Sequence, residues 1–297
     1  MPRIIKIIFA FILLSTELLA CNGGCPSGGG YLGIVPQFNK NFAGIRYRLR
    51  SFSYTDIKTA STAKHTFETA EFWGRFYPAK RVQAFVFLPF QRNIERSEAN
   101  SSLQGVGDLS FLLNYTLLNS GDSLNLDWKH TLMLGAGAKL PTGKYQQRNL
   151  TKQIYPITIQ TGTGAYSAIG SMLYTLRHNK TGLSANLSYY YNGKNEMEYS
   201  FGNMFAANIS AFYWLRAGSV SVLPSIGTYI ENTEKDIDNN YYVNNSGGSI
   251  FYESMGMDIY IKNLAFGLNL QLPYYTSLPQ RTQSKDLRFM LSAACLF

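Results

Sequence analysis

The sequence predicts an all-β protein, a closed antiparallel transmembrane β-barrel of about 12 strands. Three observations carry that prediction. From residue 42 onward apolar and polar residues alternate with period two, over segments of roughly ten residues separated by turn-rich breaks. The breaks themselves alternate, short then long. Charged residues make up 15% of the chain, below the roughly 25% of an average soluble protein, while 21 Tyr and 19 Phe supply many rings. A helical membrane protein is excluded, because past Ala20 no run approaches the ~18 unbroken apolar residues a spanning helix requires.

The first residues, MPRIIKIIFAFILLSTELLA, place Arg3 and Lys6 ahead of an apolar run that Ser15, Thr16 and Glu17 interrupt, the pattern of a secretory signal peptide over residues 1–20. Its removal takes away two positive charges and one negative, lowering the formal charge from +9 to about +8. Cys21 follows Ala20, so cleavage is either ordinary or of the lipoprotein kind, with a lipid on Cys21; Leu19 fits the usual lipobox poorly. Residues 21–41, CNGGCPSGGGYLGIVPQFNKN, form a glycine-rich segment expected to lie in the periplasm or plug the barrel of residues 42–297. Cys21 and Cys25 could offer two thiolates to a soft metal such as copper or zinc, although a structural zinc site takes four ligands. A lipid on Cys21 or a disulfide are the alternatives. Three cysteines in all do not make a stapled scaffold, and no cofactor is implied.

The strands follow in order. In FAGIRYRLRSFSY (42–54), Ala43, Ile45, Tyr47 and Leu49 share one face and Arg46, Arg48 and Arg50 the other. In TAEFWGRFY (69–77), Ala70, Phe72, Gly74 and Phe76 oppose Glu71, Trp73, Arg75 and Tyr77. VQAFVFLPF (82–90) comes next, then GVGDLSFLLNYTLL (105–118), with Leu109, Phe111, Leu113, Tyr115 and Leu117 set against Asp108, Ser110, Asn114 and Thr116. LDWKHTLMLGAGAKL (126–140) carries Leu132, Leu134, Ala136 and Ala138 on its apolar side. AYSAIGSMLYTL (165–176) is ambiguous in facing. Strands at 182–192, 198–215, 220–232, 249–261, 264–273 and 286–297 complete the count, an even number as closed bacterial barrels have.

Short connections are expected at 78–81, 119–123, 177–182, 216–219 and 262–263; long ones at 55–65, 92–104, 141–162, 193–198, 233–248 and 274–285. Such barrels join short periplasmic turns to longer outer loops, which puts both ends of the barrel on the periplasmic side. The closing stretch RFMLSAACLF then makes sense as the strand that pairs with the first, since an open sheet edge in lipid leaves backbone groups without partners. Its final Phe297 falls in the interfacial aromatic girdle, where the barrel-assembly machinery would read it.

Facing predicts chemistry: the apolar side meets lipid and the polar side the lumen. Arg46, Arg48 and Arg50 become an inward ladder with Glu71 and Arg75 beside them. They either pair with Glu71 and Asp108 around a plug or narrow lumen, or form a selectivity strip for anions. His65 is expected in an outer loop, His178 in a periplasmic turn, and His130 with Trp128 at the periplasmic interface. An outer-membrane phospholipase would need a Ser two residues beyond a lipid-facing His, and that position is Leu132. HExxH, GxSxG and a paired-cysteine metal pattern are absent from the sequence, so no catalytic residues are assigned and an enzyme is not expected. The positive balance lacks the Lys/Arg runs with interleaved rings of a nucleic-acid binder, and suits anionic lipid headgroups or small anionic solutes.

GVGDLSFLLNYTLL, LGAGAKLPTGKY (134–145), GTGAYSAIGSMLYTL (162–176), LSANLSYYYNG (183–193) and GGSIFYESMGMDIYIKNLAFGLNLQLP (247–273) together resemble the bacterial outer-membrane "transporter" family named for the meta-pathway of phenol degradation. The resemblance covers about the C-terminal two thirds, and implies a small barrel passing small hydrophobic or aromatic compounds into the periplasm, without catalytic residues. In KLPTG, Pro141 ends ladder donation and Gly143 permits a turn, a structural role. The expected function is a passive outer-membrane channel for small solutes, hydrophobic, aromatic or anionic. The alternatives are a non-transporting surface protein or a thiol metal-handling protein using Cys21 and Cys25.

Overall fold

A computed structural model describes residues 40–56, 62–97, 100–120, 127–149, 151–244, 246–277, 281–283 and 287–297. The expected signal peptide, and Cys21 and Cys25, lie outside them. Among the described residues twelve long strands form the barrel wall: β1 (Phe42–Asp56), β2 (Thr62–Ala79), β3 (Val82–Arg96), β4 (Leu109–Asn119), β5 (Trp128–Leu140) and β6 (Ser167–His178) in one half. β7 (Thr181–Asn192), β8 (Met204–Tyr213), β9 (Val220–Thr233), β10 (Gly248–Ile261), β11 (Leu264–Ser277) and β12 (Arg288–Leu296) make the other. Each pairs antiparallel with the next, and β12 closes the sheet on β1 in a register running from Phe42↔Leu296 to Leu49↔Phe289. Helix is confined to a single 3-10 turn at Ile157–Ile159 among the described residues.

Alternation fixes the two surfaces. Ile45, Phe72 and Leu113 are more than half exposed on the outer wall, whereas Arg46, Glu71 and Asn114, one residue along, are buried in the lumen. A soluble barrel would reverse this; here acyl chains solvate the apolar side of an outer-membrane barrel. Above the apolar belt the outward positions of β2 and β3 turn charged, with Arg92 Nη1 3.6 Å from Glu68 Oε2. Rings mark both margins: Trp128 stacks on His178 at the periplasmic end, and Phe251 packs against Tyr274 and Tyr275 at the outer end. The ambiguous segment resolves with Ser167, Ile169 and Leu173 buried inward.

The structure corrects several sequence expectations. β1 to β3 run on past the ~9–11 residues a membrane crossing needs, so the outer connection expected at 55–65 shrinks to 57–61. The cause is a continued ladder whose inward Phe52 and Phe67 stay packed. His65 is therefore a buried residue of β2 rather than a loop residue, stacked on Phe67 with Nε2 3.9 Å from Glu95. The strand expected over 198–215 is three elements: Tyr199–Ser200 leaves the wall to join Ile237–Asp238 and Tyr241–Tyr242 in a small outer sheet, Met204–Tyr213 is the wall strand, and Leu215–Ala217 is a separate short piece paired with β9. A further piece, Ser101–Val106, pairs with the outer half of β3 beyond a break at Gly107 and Asp108.

Candidate functional site

The lumen is built by the inward positions. On β1 these are Phe42, Gly44, Arg46, Arg48, Arg50 and Phe52, which stack three layers along the barrel axis: rings at the periplasmic end, guanidinium groups in the middle, rings again toward the outside. The register places Glu71 of β2 directly opposite Arg46, so their side chains meet on the same face. Arg46 Nε donates to Glu71 Oε2 at 2.9 Å, Arg46 Nη2 pairs with the same oxygen, and Arg48 Nη2 donates to Oε1 at 2.9 Å. Both carboxylate oxygens are thus committed. The Arg46 guanidinium also lies over Trp73, 4.8 Å from the ring centre, where a desolvated cation is attracted by the ring face.

Arg75 donates to the Lys40 carbonyl at 2.9 Å and sits over the Phe42 and Tyr77 rings at 5.0 and 5.3 Å. Arg50 lies over Phe67 at 5.6 Å and has no carboxylate within ion-pair distance among the described residues. Asp108 departs from expectation, because it does not pair with the β1 arginines. Its Oδ2 lies 3.6 Å from Lys139 Nζ and accepts from the Thr163 amide (3.0 Å) and hydroxyl (2.6 Å), while Oδ1 accepts from the Gly143 amide (3.1 Å). That carboxylate binds the GVGD break to the KLPTG turn and to the return of the long outer loop. Its distance from the β1 arginines follows from position: it sits at the outer break after β3, three strands from the ladder.

Sequence reasoning missed Glu231 and Arg288. Arg288 Nη1 donates to Glu231 Oε2 at 3.0 Å, and the guanidinium covers Tyr252 at 4.2 Å and Phe52 at 4.8 Å. The signal was available: Arg288 has the same parity as Met290, opposite to the lipid-facing Leu291. The outer ring layer around them is Phe52, Phe67, Tyr229, Ile250 and Tyr252. The opposite wall is polar without charge, with Ser184, Asn186, Ser188, Asn208 and Ser210 facing inward from β7 and β8. A lumen of this kind can stack an aromatic solute, hold a charge on guanidinium donors and hydrate a polar edge. A separate concavity of ≈ 690 Å³ lies on the lipid side, lined by Ile45, Phe72, Leu88, Phe90 and Phe266, where acyl chains cover it.

The outer loops are tied to one another. Asp236 accepts from the Tyr199 hydroxyl at 2.6 Å and the Gly202 amide at 2.8 Å, and Tyr145 donates to Glu196 at 2.7 Å. Burial pushes the Asp236 carboxyl above its ordinary range and outweighs those two donors. Among the described residues no group of three His, Cys, Asp or Glu is placed to hold a metal. His130, facing lipid beside Trp128, places Nδ1 2.7 Å from the Tyr174 hydroxyl.

Residues 49–273 match the family described as "Putative MetA-pathway of phenol degradation". No curated protein matches the sequence. The chain is similar to a crystal structure of an outer membrane channel from Pseudomonas putida F1, with a TM-score of 0.62, 11% identity, and coverage of 87% of this chain and 95% of that one. It is also similar to the β domain of a Bordetella autotransporter, with a TM-score of 0.48, 10% identity, and coverage of 86% and 99% respectively.

Proposed function

The chain belongs to the family of the MetA-pathway of phenol degradation, and on that premise we propose that it is a passive outer-membrane channel admitting small aromatic or hydrophobic solutes to the periplasm. One observation carries the reading: the interior holds a belt of arginines between two layers of rings, a lining suited to solutes with an aromatic body and a polar edge. The channel named in the Pseudomonas putida structure shares this fold and supports the reading. Nothing in the proposed role calls for a reaction. Solutes move down their gradient, and the guanidinium groups and rings offer weak successive sites, which favour both entry and exit.

The test is reconstitution of the purified protein in liposomes. Uptake of phenol-sized solutes above protein-free vesicles, together with discrete conductance steps in a planar bilayer, is the expected result. Liposomes that admit no more solute than empty ones, with no conductance at any voltage, would refute it and favour a non-transporting surface protein.

A further inference from the structure

Resting on the channel reading, the arrangement of arginines in the middle of the lumen carries a more specific inference. We propose that Arg48, Arg50 and Arg288 form a binding site for the carboxylate of a small organic anion. The first ground is charge. Four inward guanidinium groups, on Arg46, Arg48, Arg50 and Arg288, face two carboxylates, on Glu71 and Glu231, and Glu71 is shared by two of them. Two positive charges are therefore uncompensated in a confined interior, an unfavourable state that a bound anion relieves.

The second ground is register. β1 and β12 end their ladder at Leu49↔Phe289, and the next residue of each strand, Arg50 and Arg288, lines one small cavity on the same inward side. Like charges lining one cavity repel. An anion between them converts the repulsion into two attractions. The third ground is unused donors. Arg288 is 4% exposed, yet its Nε and Nη2 have no hydrogen-bond partner, and the Nε of Arg48 is likewise buried without one. Arg288 spends Nη1 on Glu231, leaving the other edge of the fork free for a two-oxygen acceptor.

These groups border a cavity of ≈ 40 Å³ that Tyr229, Asn269 and Gln271 also line, together with Glu231, whose Oε2 is already engaged by Arg288 and the Tyr229 hydroxyl. That space exceeds the ~10–15 Å³ a single water requires and suits a carboxylate head. The body of such an anion has an apolar surface beside it, because Arg288 itself lies against Phe52 and Tyr252. An aryl carboxylate therefore combines the two halves of the site. Neither half is supplied by the polar wall of β7 and β8.

The test is calorimetric titration of the detergent-purified full chain in chloride buffer with benzoate, and with benzyl alcohol as a neutral compound of the same ring. Benzoate is expected to bind about tenfold or more tightly than benzyl alcohol, with that advantage lost in Arg50→Gln and partly kept in Arg50→Lys. Heat-modifiable migration on a gel establishes that each variant is a folded barrel. Equal binding of the two compounds, or unchanged benzoate binding in folded Arg50→Gln, would overturn the site. Benzoate binding by a protein without conductance keeps the site and removes the channel reading; neutral solute flux without preferential benzoate binding does the reverse.

Discussion

Replacing Glu71 by Gln isolates what the lumen carboxylate does. Its side chain is 5% exposed, and it serves Arg46 and Arg48, which are 2% and 15% exposed. Glutamine keeps the shape and one acceptor oxygen but removes the charge and turns the second position into a donor facing a guanidinium donor. Removing one member of a buried ion pair costs about 3–5 kcal/mol, most of it the penalty of the charge left behind. Two arginines are left here, but lumen water relieves part of the cost at Arg48, so a loss of about 3–5 kcal/mol remains the expectation. Urea unfolding in lipid vesicles, followed by tryptophan emission, measures it, and Trp73 under Arg46 lies at the site of change. Adding Arg48→Gln to Glu71→Gln should recover part of the loss, with a coupling of roughly 0.5–3 kcal/mol. A loss below about 1 kcal/mol, the range of exposed pairs, would mean that water screens these charges and that the charge argument for the lumen is mistaken.

Other outcomes follow from the loops and the family motifs. Asp108→Asn places a donor against the Gly143 or Thr163 amides and removes the negative charge facing Lys139, so protease cleavage within residues 141–166 should rise while the barrel stays folded. Gly143→Ala should do the same by a different route, since a Cβ there would lie 2.7 Å from the Gly162 Cα and 2.9 Å from Asp108 Oδ1; unchanged cleavage would deny the close approach. For Asp236 the folded-state pKa is raised above its ordinary value, so its contribution to loop packing is fully present below the ordinary carboxyl range and is lost as pH rises through the folded value. Amide exchange in residues 193–203 should therefore quicken as pH rises through that window beyond the intrinsic base-catalysed trend, and Asp236→Asn should abolish the excess.

Much of the wall was legible because the membrane imposes a local code. Each residue of a strand faces either lipid or lumen, the assignment flips with every step, and the code needs no knowledge of neighbours. Hence Arg46, Arg48, Arg50 and Glu71 could be placed inward, and Phe72 and Leu113 outward. Local composition misjudged where strands end above the bilayer. His65 and its neighbours look like loop in sequence, but their cross-strand partners hold them in the ladder.

The period, the faces and the even strand number are local facts of the chain, since they depend only on what each residue does beside its own neighbours. Closure decided the rest. Joining β12 to β1 brings Arg288 beside Arg50 across more than two hundred residues, and the same circle sends Asp108 to Lys139 and Thr163 instead of to the arginine ladder. Which inward charges meet depends on the stagger at which the sheet closes, and that is a property of the whole ring of hydrogen bonds, written in no single strand.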